Sequence, residues 1–107
     1  MLSNDIDILN IANKWKNLGK KVAIATVIQT WGSAPRGVGS KLVIDQDGNF
    51  EGSVSGGCVE GAVINEAMEL FEDSEPKVLE YGVSNEMAWE VGLACGGTIR
   101  IYLNELK

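Results

Sequence analysis

"KLVIDQDGNFEGSVSGGCVEGAVINEAMELF", Lys41–Phe71, decides how this chain folds. Two stretches, "KLVID" and "FEGSV", flank Asp47-Gly48, a dipeptide that favours the tight reversal of a β-hairpin. A glycine pair and a cysteine come next, and the pattern then changes. Val59, Val63, Ala67, Leu70 and Phe71 form a helical stripe, with Glu66, Glu69 and Glu72 on other faces. One stretch thus predicts a hairpin, a glycine-rich loop and a helix, in that order.

Upstream, Ile8, Ile11, Trp15 and Leu18 share one face of a helix over Asp5–Leu18. Ser3 or Asn4 is available to cap its start, and Gly19 follows as a stop signal. "VAIATVIQTW" is rich in β-branched residues and predicts a strand over Val22–Thr30. Its nearly continuous apolar run from Val22 to Ile28 implies burial on both faces. Downstream, "KVLEYGV" (Lys77–Val83) predicts another strand, and "SNEMAWEVGLACGG" an irregular connection. In "TIRIYLNEL", Ile99, Ile101 and Leu103 alternate with Thr98, Arg100 and Tyr102, the pattern of a half-buried strand. The order helix, strand, hairpin, helix, strand, strand predicts an α+β (layered α/β) domain. Its expected form is a mixed β-sheet with a β-hairpin, packed against two main helices.

Bulk properties narrow the function. The 107 residues suit a single domain with its own core. Hydrophobic residues make up 45% and charged residues 22%, the balance of a globular chain. A net charge of −6 supplies no basic surplus to neutralise phosphates, which argues against nucleic acid and anionic membrane surfaces as partners. No apolar run approaches the roughly 20 residues of a membrane span, and the first residues do not read as a signal peptide. A cytoplasmic protein with reduced thiols is the expectation. Histidine is absent, so imidazole chemistry within one chain is excluded. Two cysteines cannot complete a four-cysteine zinc site without a partner chain, and no metal-ligand set is expected.

The 13 glycines gather at Gly32–Gly39, Gly52–Gly61 and Gly92–Gly97, each following or joining a strand. Such loops allow close approach of a ligand to the backbone. Cys58 stands at a helix start, where unpaired N–H groups bind anions and favour a thiolate. The alternative is that Ser55 caps the helix and Cys58 packs inward as a small apolar residue. Cys95 in "LACGG" precedes a strand and, taken alone, reads first as an inert thiol beside a structural turn. Arg36 offers a bidentate fork for carboxylate or phosphate, or is a solvated loop charge. Glu60 lies in the first helical turn, where stabilisation by the dipole is preferred to a role as catalytic acid or base. The glycine spacing matches neither a Walker A loop nor a dinucleotide-binding turn.

Together, "TWGSAPRGVGSKLVIDQDGNFEGSVSGGCVEGAVINEA" and "GLACGGTIRIYLNEL" resemble the XdhC/CoxI family of maturation factors for xanthine dehydrogenase and carbon monoxide dehydrogenase. The resemblance rests on a GS-x-PR loop, a D-G hairpin, a GGC-VE helix start and a CGG strand start, in that order. It implies a largely non-catalytic chaperone that binds molybdenum cofactor (molybdopterin) and assists its sulfuration and insertion into a molybdenum hydroxylase apoenzyme. Cys58, Cys95, Arg36, Ser33, Pro35, Gly56, Gly57, Gly96 and Gly97 become the cofactor-binding candidates. A cysteine desulfurase-type sulfur donor is a further partner, and a homodimer that completes a site between subunits is expected as a substitute for the second domain of longer members. Many members continue into a Rossmann-like domain; here residues 1–107 are expected to form the first domain alone, with a separate Rossmann-domain protein as a partner. A thiol-based sulfur carrier or oxidoreductase, and an interaction subunit without ligand, are the rival readings.

Overall fold

In the computed structural model, which describes residues 5–31, 37–54, 59–82 and 98–106, helix α1 (Asp5–Asn17) leads into the long strand β1 (Val22–Trp31). Strands β2 (Lys41–Asp45) and β3 (Phe50–Gly52) form the hairpin, and helix α2 (Glu60–Asp73) follows. Strands β4 (Lys77–Gly82) and β5 (Thr98–Glu105) complete a sheet of order β3-β2-β1-β5-β4.

The hairpin turns where Asp47-Gly48 predicts it. The Gly48 N–H donates to the Asp45 carbonyl at 3.1 Å, and the Asp45 N–H donates to the Asn49 carbonyl at 2.9 Å. Gly48 has φ +87°, a conformation costly for a residue with a Cβ. Asp45 is fully buried and organises the turn: its carboxylate accepts the N–H groups of Asp47 and Asn49, each at 2.9 Å, and the Asn49 amide at 2.9 Å. Lys20 reaches the same carboxylate from the α1–β1 connection at 3.1 Å.

The two helices pack on opposite faces of the sheet. On one face, Val63, Ala67, Leu70 and Phe71 of α2, with Val59 before it, meet Ala23, Ala25 and Val27 of β1 and Ile99, Ile101 and Leu103 of β5. On the other, Ile8 and Ala12 of α1 pack with Val22, Ile24 and Val43. The α+β architecture with two helices is therefore as expected, and every predicted stripe position of α2 is buried.

Four details differ from the sequence expectation. The sheet is antiparallel at every pairing rather than mixed. A strand–helix–strand unit usually makes parallel neighbours, and β3 and β4 do point the same way. They lie at opposite edges, however, because α2 carries the chain across the whole sheet and β5 fills the place beside β1. Second, Ile28 is 43% exposed. The β1–β5 register shifts between Val27 and Gln29, a bulge that disrupts the ladder at Ile28. Third, Leu18 lies past the end of α1 and is exposed, so the buried stripe runs through Ala12 instead. Fourth, the N-cap of α2 is Val59, with no side-chain cap, rather than Ser55.

Candidate functional site

Antiparallel pairing sorts the connections between two ends of the sheet. One end has the tight 45–49 turn, the α1–β1 connection and the short link from α2 to β4. The other end has all three glycine-rich connections. β1 finishes there at Trp31, paired with Thr98 at the start of β5, and Thr98 also pairs with Gly82 at the end of β4. β2 begins there at Lys41, opposite Thr26. β3 finishes beside it: Gly52 pairs with Leu42, and the Ser53 N–H donates to the Lys41 carbonyl at 3.1 Å. The first connection returns to the sheet through Gly39 and Ser40, which exchange hydrogen bonds with Val27 at 2.8 and 2.9 Å.

The candidates read from the sequence fall between these stems. Ser33, Pro35, Arg36, Gly56, Gly57, Cys58, Cys95, Gly96 and Gly97 all lie outside the described residues. What the structure gives is the scaffold that carries them: three segments leaving one end of one sheet.

The second stem is the best defined. Val54 and Val59, on either side of residues 55–58, are buried in the α2 face core. Glu60, the first residue of α2, is only 7% exposed. Its Oε2 accepts the Ser53 hydroxyl at 2.6 Å and the Val54 N–H at 2.9 Å. The sequence reading preferred a favourable place at the helix dipole for Glu60 over a catalytic acid or base. The signal for more was the apolar pair Val54 and Val59, which draws both ends of the segment inward and takes the carboxylate with them.

Beside the third stem, Tyr81 packs in the same core, next to Gly82. Burial, helped by the negative charge of Glu66, pushes its phenol up to about 12. Among the described residues, no group of three or more His, Cys, Asp or Glu side chains is arranged to hold a metal ion. No described helix is long and apolar enough to cross a membrane.

Comparison with known proteins matches this chain at both the sequence and the fold level. It is 34% identical over 100 residues to the molybdenum cofactor insertion chaperone PaoD of Escherichia coli (strain K12), covering 94% of this chain and 31% of PaoD. It is 28% identical to a probable xanthine dehydrogenase subunit of Bacillus subtilis (strain 168), covering 81% of this chain and 27% of that protein. The chain thus spans about a third or less of the curated relatives it matches. A crystal structure of a xanthine dehydrogenase from Bacillus halodurans superposes with a TM-score of 0.77 at 26% identity, over 92% of this chain and 30% of that one. The sequence profile of the XdhC and CoxI family matches residues 15–82, well over half of the chain and including the first two glycine-rich connections. The chain belongs to the XdhC and CoxI family.

Proposed function

We propose that this chain binds molybdenum cofactor as cargo and assists its sulfuration and insertion into a xanthine dehydrogenase- or carbon monoxide dehydrogenase-type molybdenum hydroxylase. The observation that carries the reading is the departure of all three glycine-rich connections from one end of the sheet. Those connections contain both cysteines and Arg36. Family membership supports it, as does the role named for PaoD.

The donor set fits such a cargo. Thiols suit a soft metal–sulfur centre, and a guanidinium suits a phosphate. Glycine-rich backbone ahead of a helix is a kind of segment that binds anions. Cys58, Cys95, Arg36, Ser33, Pro35, Gly56, Gly57, Gly96 and Gly97 are the residues assigned to hold it. A cytoplasmic hydroxylase apoenzyme receives the cargo, and a cysteine desulfurase-type protein supplies sulfur. A second copy of this chain, or a separate Rossmann-domain protein, completes the site from outside.

The test is anaerobic purification from a host that makes the cofactor, with molybdenum and oxidised-pterin fluorescence measured on the purified chain. The expected result is copurified pterin with the wild type, largely lost in Cys58→Ala and Cys95→Ala variants that remain folded. A wild-type chain that carries no pterin and takes up none when it is added overturns the reading.

A further inference from the structure

β4 is an outer strand of the sheet, six residues long against three for β3 at the other edge. Pairing with β5 sorts its side chains. Leu79 and Tyr81 lie opposite Ile101 and Ile99 and pack toward α2, whereas Val78 and Glu80 lie opposite Tyr102 and Arg100 on the other face. There α1 packs over the β2 side of the sheet and leaves Val78 60% and Tyr102 38% exposed. On the α2 side the edge is acidic. Glu66, Glu69 and Asp73 recur at helical spacing and form one stripe along α2. Lys77 of β4 reaches Asp73 at 3.2 Å. That bond, joined by the charges of Glu66 and Glu69, holds the Lys77 ammonium above its ordinary value, so the stripe runs beside β4. Among the described residues, no salt bridge reaches Glu66 or Glu69. The Tyr81 side chain is more than nine-tenths buried, close enough to the stripe to respond to the charge of Glu66. A buried tyrosine hydroxyl ordinarily finds a partner, and among the described residues this one has none.

We propose that the outer edge of β4 is a docking surface for an extended basic segment of a partner protein, which adds beside β4 as a further strand. Free edges are usually blunted by shortness or by charges on the strand itself. β3 is short, but the charges of β4 are already engaged, Lys77 with Asp73 and Glu80 with Arg100. Main-chain hydrogen bonds hold an added strand, and its alternate side chains fall on the two faces. Those on the α2 side meet Glu66, Glu69 and the Tyr81 hydroxyl, all of which accept hydrogen bonds from lysine or arginine. Those on the other side meet Val78. The segment that fits therefore alternates basic and apolar residues. A second copy fits poorly: two β4 strands paired about a twofold axis bring both acidic stripes to one side of the joined sheet, in chains that each carry a net charge of −6.

The experiment titrates the chain with a short synthetic peptide alternating lysine and valine, followed by NMR and amide hydrogen exchange at near-physiological salt. A second peptide has prolines in place of its central valines, which keeps the charge but prevents pairing as a strand. The expected result is that the first peptide binds and protects the β4 amides that point away from β5. The proline peptide is expected to bind at least about tenfold more weakly, through the loss of main-chain pairing. Glu66→Gln combined with Glu69→Gln is expected to weaken binding about tenfold. Tyr81→Phe, which keeps the ring, is expected to weaken it about threefold. Glu51→Gln makes the same charge change on the exposed surface of β3 and is expected to stay within about twofold of the wild type. The proposal is overturned if the first peptide does not bind, or if both peptides bind alike, which is polycation attraction only. It is also overturned if neither the double variant nor Tyr81→Phe weakens binding, or if Glu51→Gln weakens it as much as the double variant. Protection of the outward β4 amides in the chain alone overturns it too, and protection that rises with concentration assigns the edge to a second copy. Cargo is absent from every arm, so pterin binding has no bearing on the outcome.

Discussion

Gly52 has φ +90°, and a Cβ there would meet the Lys41 carbonyl oxygen, with Ile8 Cδ1 at 3.0 Å. The oxygen is backbone and cannot step aside. Gly52→Ala is therefore expected to lower stability by at least about 2 kcal/mol in urea unfolding, through backbone strain and the clash together. A variant as stable as the wild type would show that the β3 exit is free to shift. Asp45 sets a pH dependence at the other end of the sheet. Burial pushes its carboxyl up, but hydrogen bonds from Asn49, Lys20 and the Asp47 N–H outweigh burial and hold it below its ordinary value. A carboxyl that is more acidic in the folded state contributes stability above its unfolded pKa, near 4, and loses it as pH falls through the folded value. The urea midpoint is expected to drop on acidification below about pH 4, and Asp45→Asn to flatten that drop while lowering stability at neutral pH. An equally steep profile in the variant would move the effect to other carboxylates. Arg36→Ala is expected to weaken cofactor binding by about 2 kcal/mol with little change in unfolding, and Arg36→Lys to restore only part, since an ammonium lacks the fork. Equal affinity in the wild type and the alanine variant would remove Arg36 from the site.

At the scale of elements, α2 and β5 were legible because each buries one face and exposes the other. Val63, Ala67, Leu70 and Phe71 could be read from helical spacing, and Ile99, Ile101 and Leu103 from alternation; all seven are buried. The hairpin was legible because its turn is local chemistry. The Ile28 bulge was not, because a register shift depends on the partner strand, and that partner is β5 at the far end of the sequence. The Val59 cap was hidden for a related reason: Ser55 is the better capping residue by type, but core packing of Val54 and Val59 governs where α2 begins. The other end of α2 gives a prediction. Ser74 closes the helix with φ 58°, its N–H donating to the Leu70 carbonyl at 2.7 Å. Glycine accepts that backbone shape without a Cβ penalty, although it also loosens the unfolded chain. Ser74→Gly is expected to raise stability by about 0.5 kcal/mol in thermal or urea unfolding. A loss of stability would mean that the serine side chain contributes more than the strain it carries.

For the molecule as a whole, the sequence offered residues for a candidate site but not the layout of the connections that carry them. Cysteines, an arginine and glycine pairs are visible one residue at a time, whereas the common end from which the stems of their connections leave the sheet follows only from antiparallel pairing. Strand order stayed hidden because it is fixed by contacts between distant segments. The same order governs when this protein can fold during its own synthesis. β1 lies at the centre of the sheet, yet the strand that completes its second edge follows the other four described strands in the sequence: Ala23 pairs with Glu105, and Trp31 with Thr98. Until β5 has left the ribosome, β1 presents an open edge and β4 has no neighbour, a state prone to mispairing. Such long-range closure is slow, on the order of milliseconds to seconds. Nascent chains arrested with β5 still inside the ribosome are expected to be digested readily by protease, and chains extended enough to free Glu105 to resist it. Protection appearing before Thr98 has emerged would show that β1, β2 and β3 hold their shape with the two helices alone.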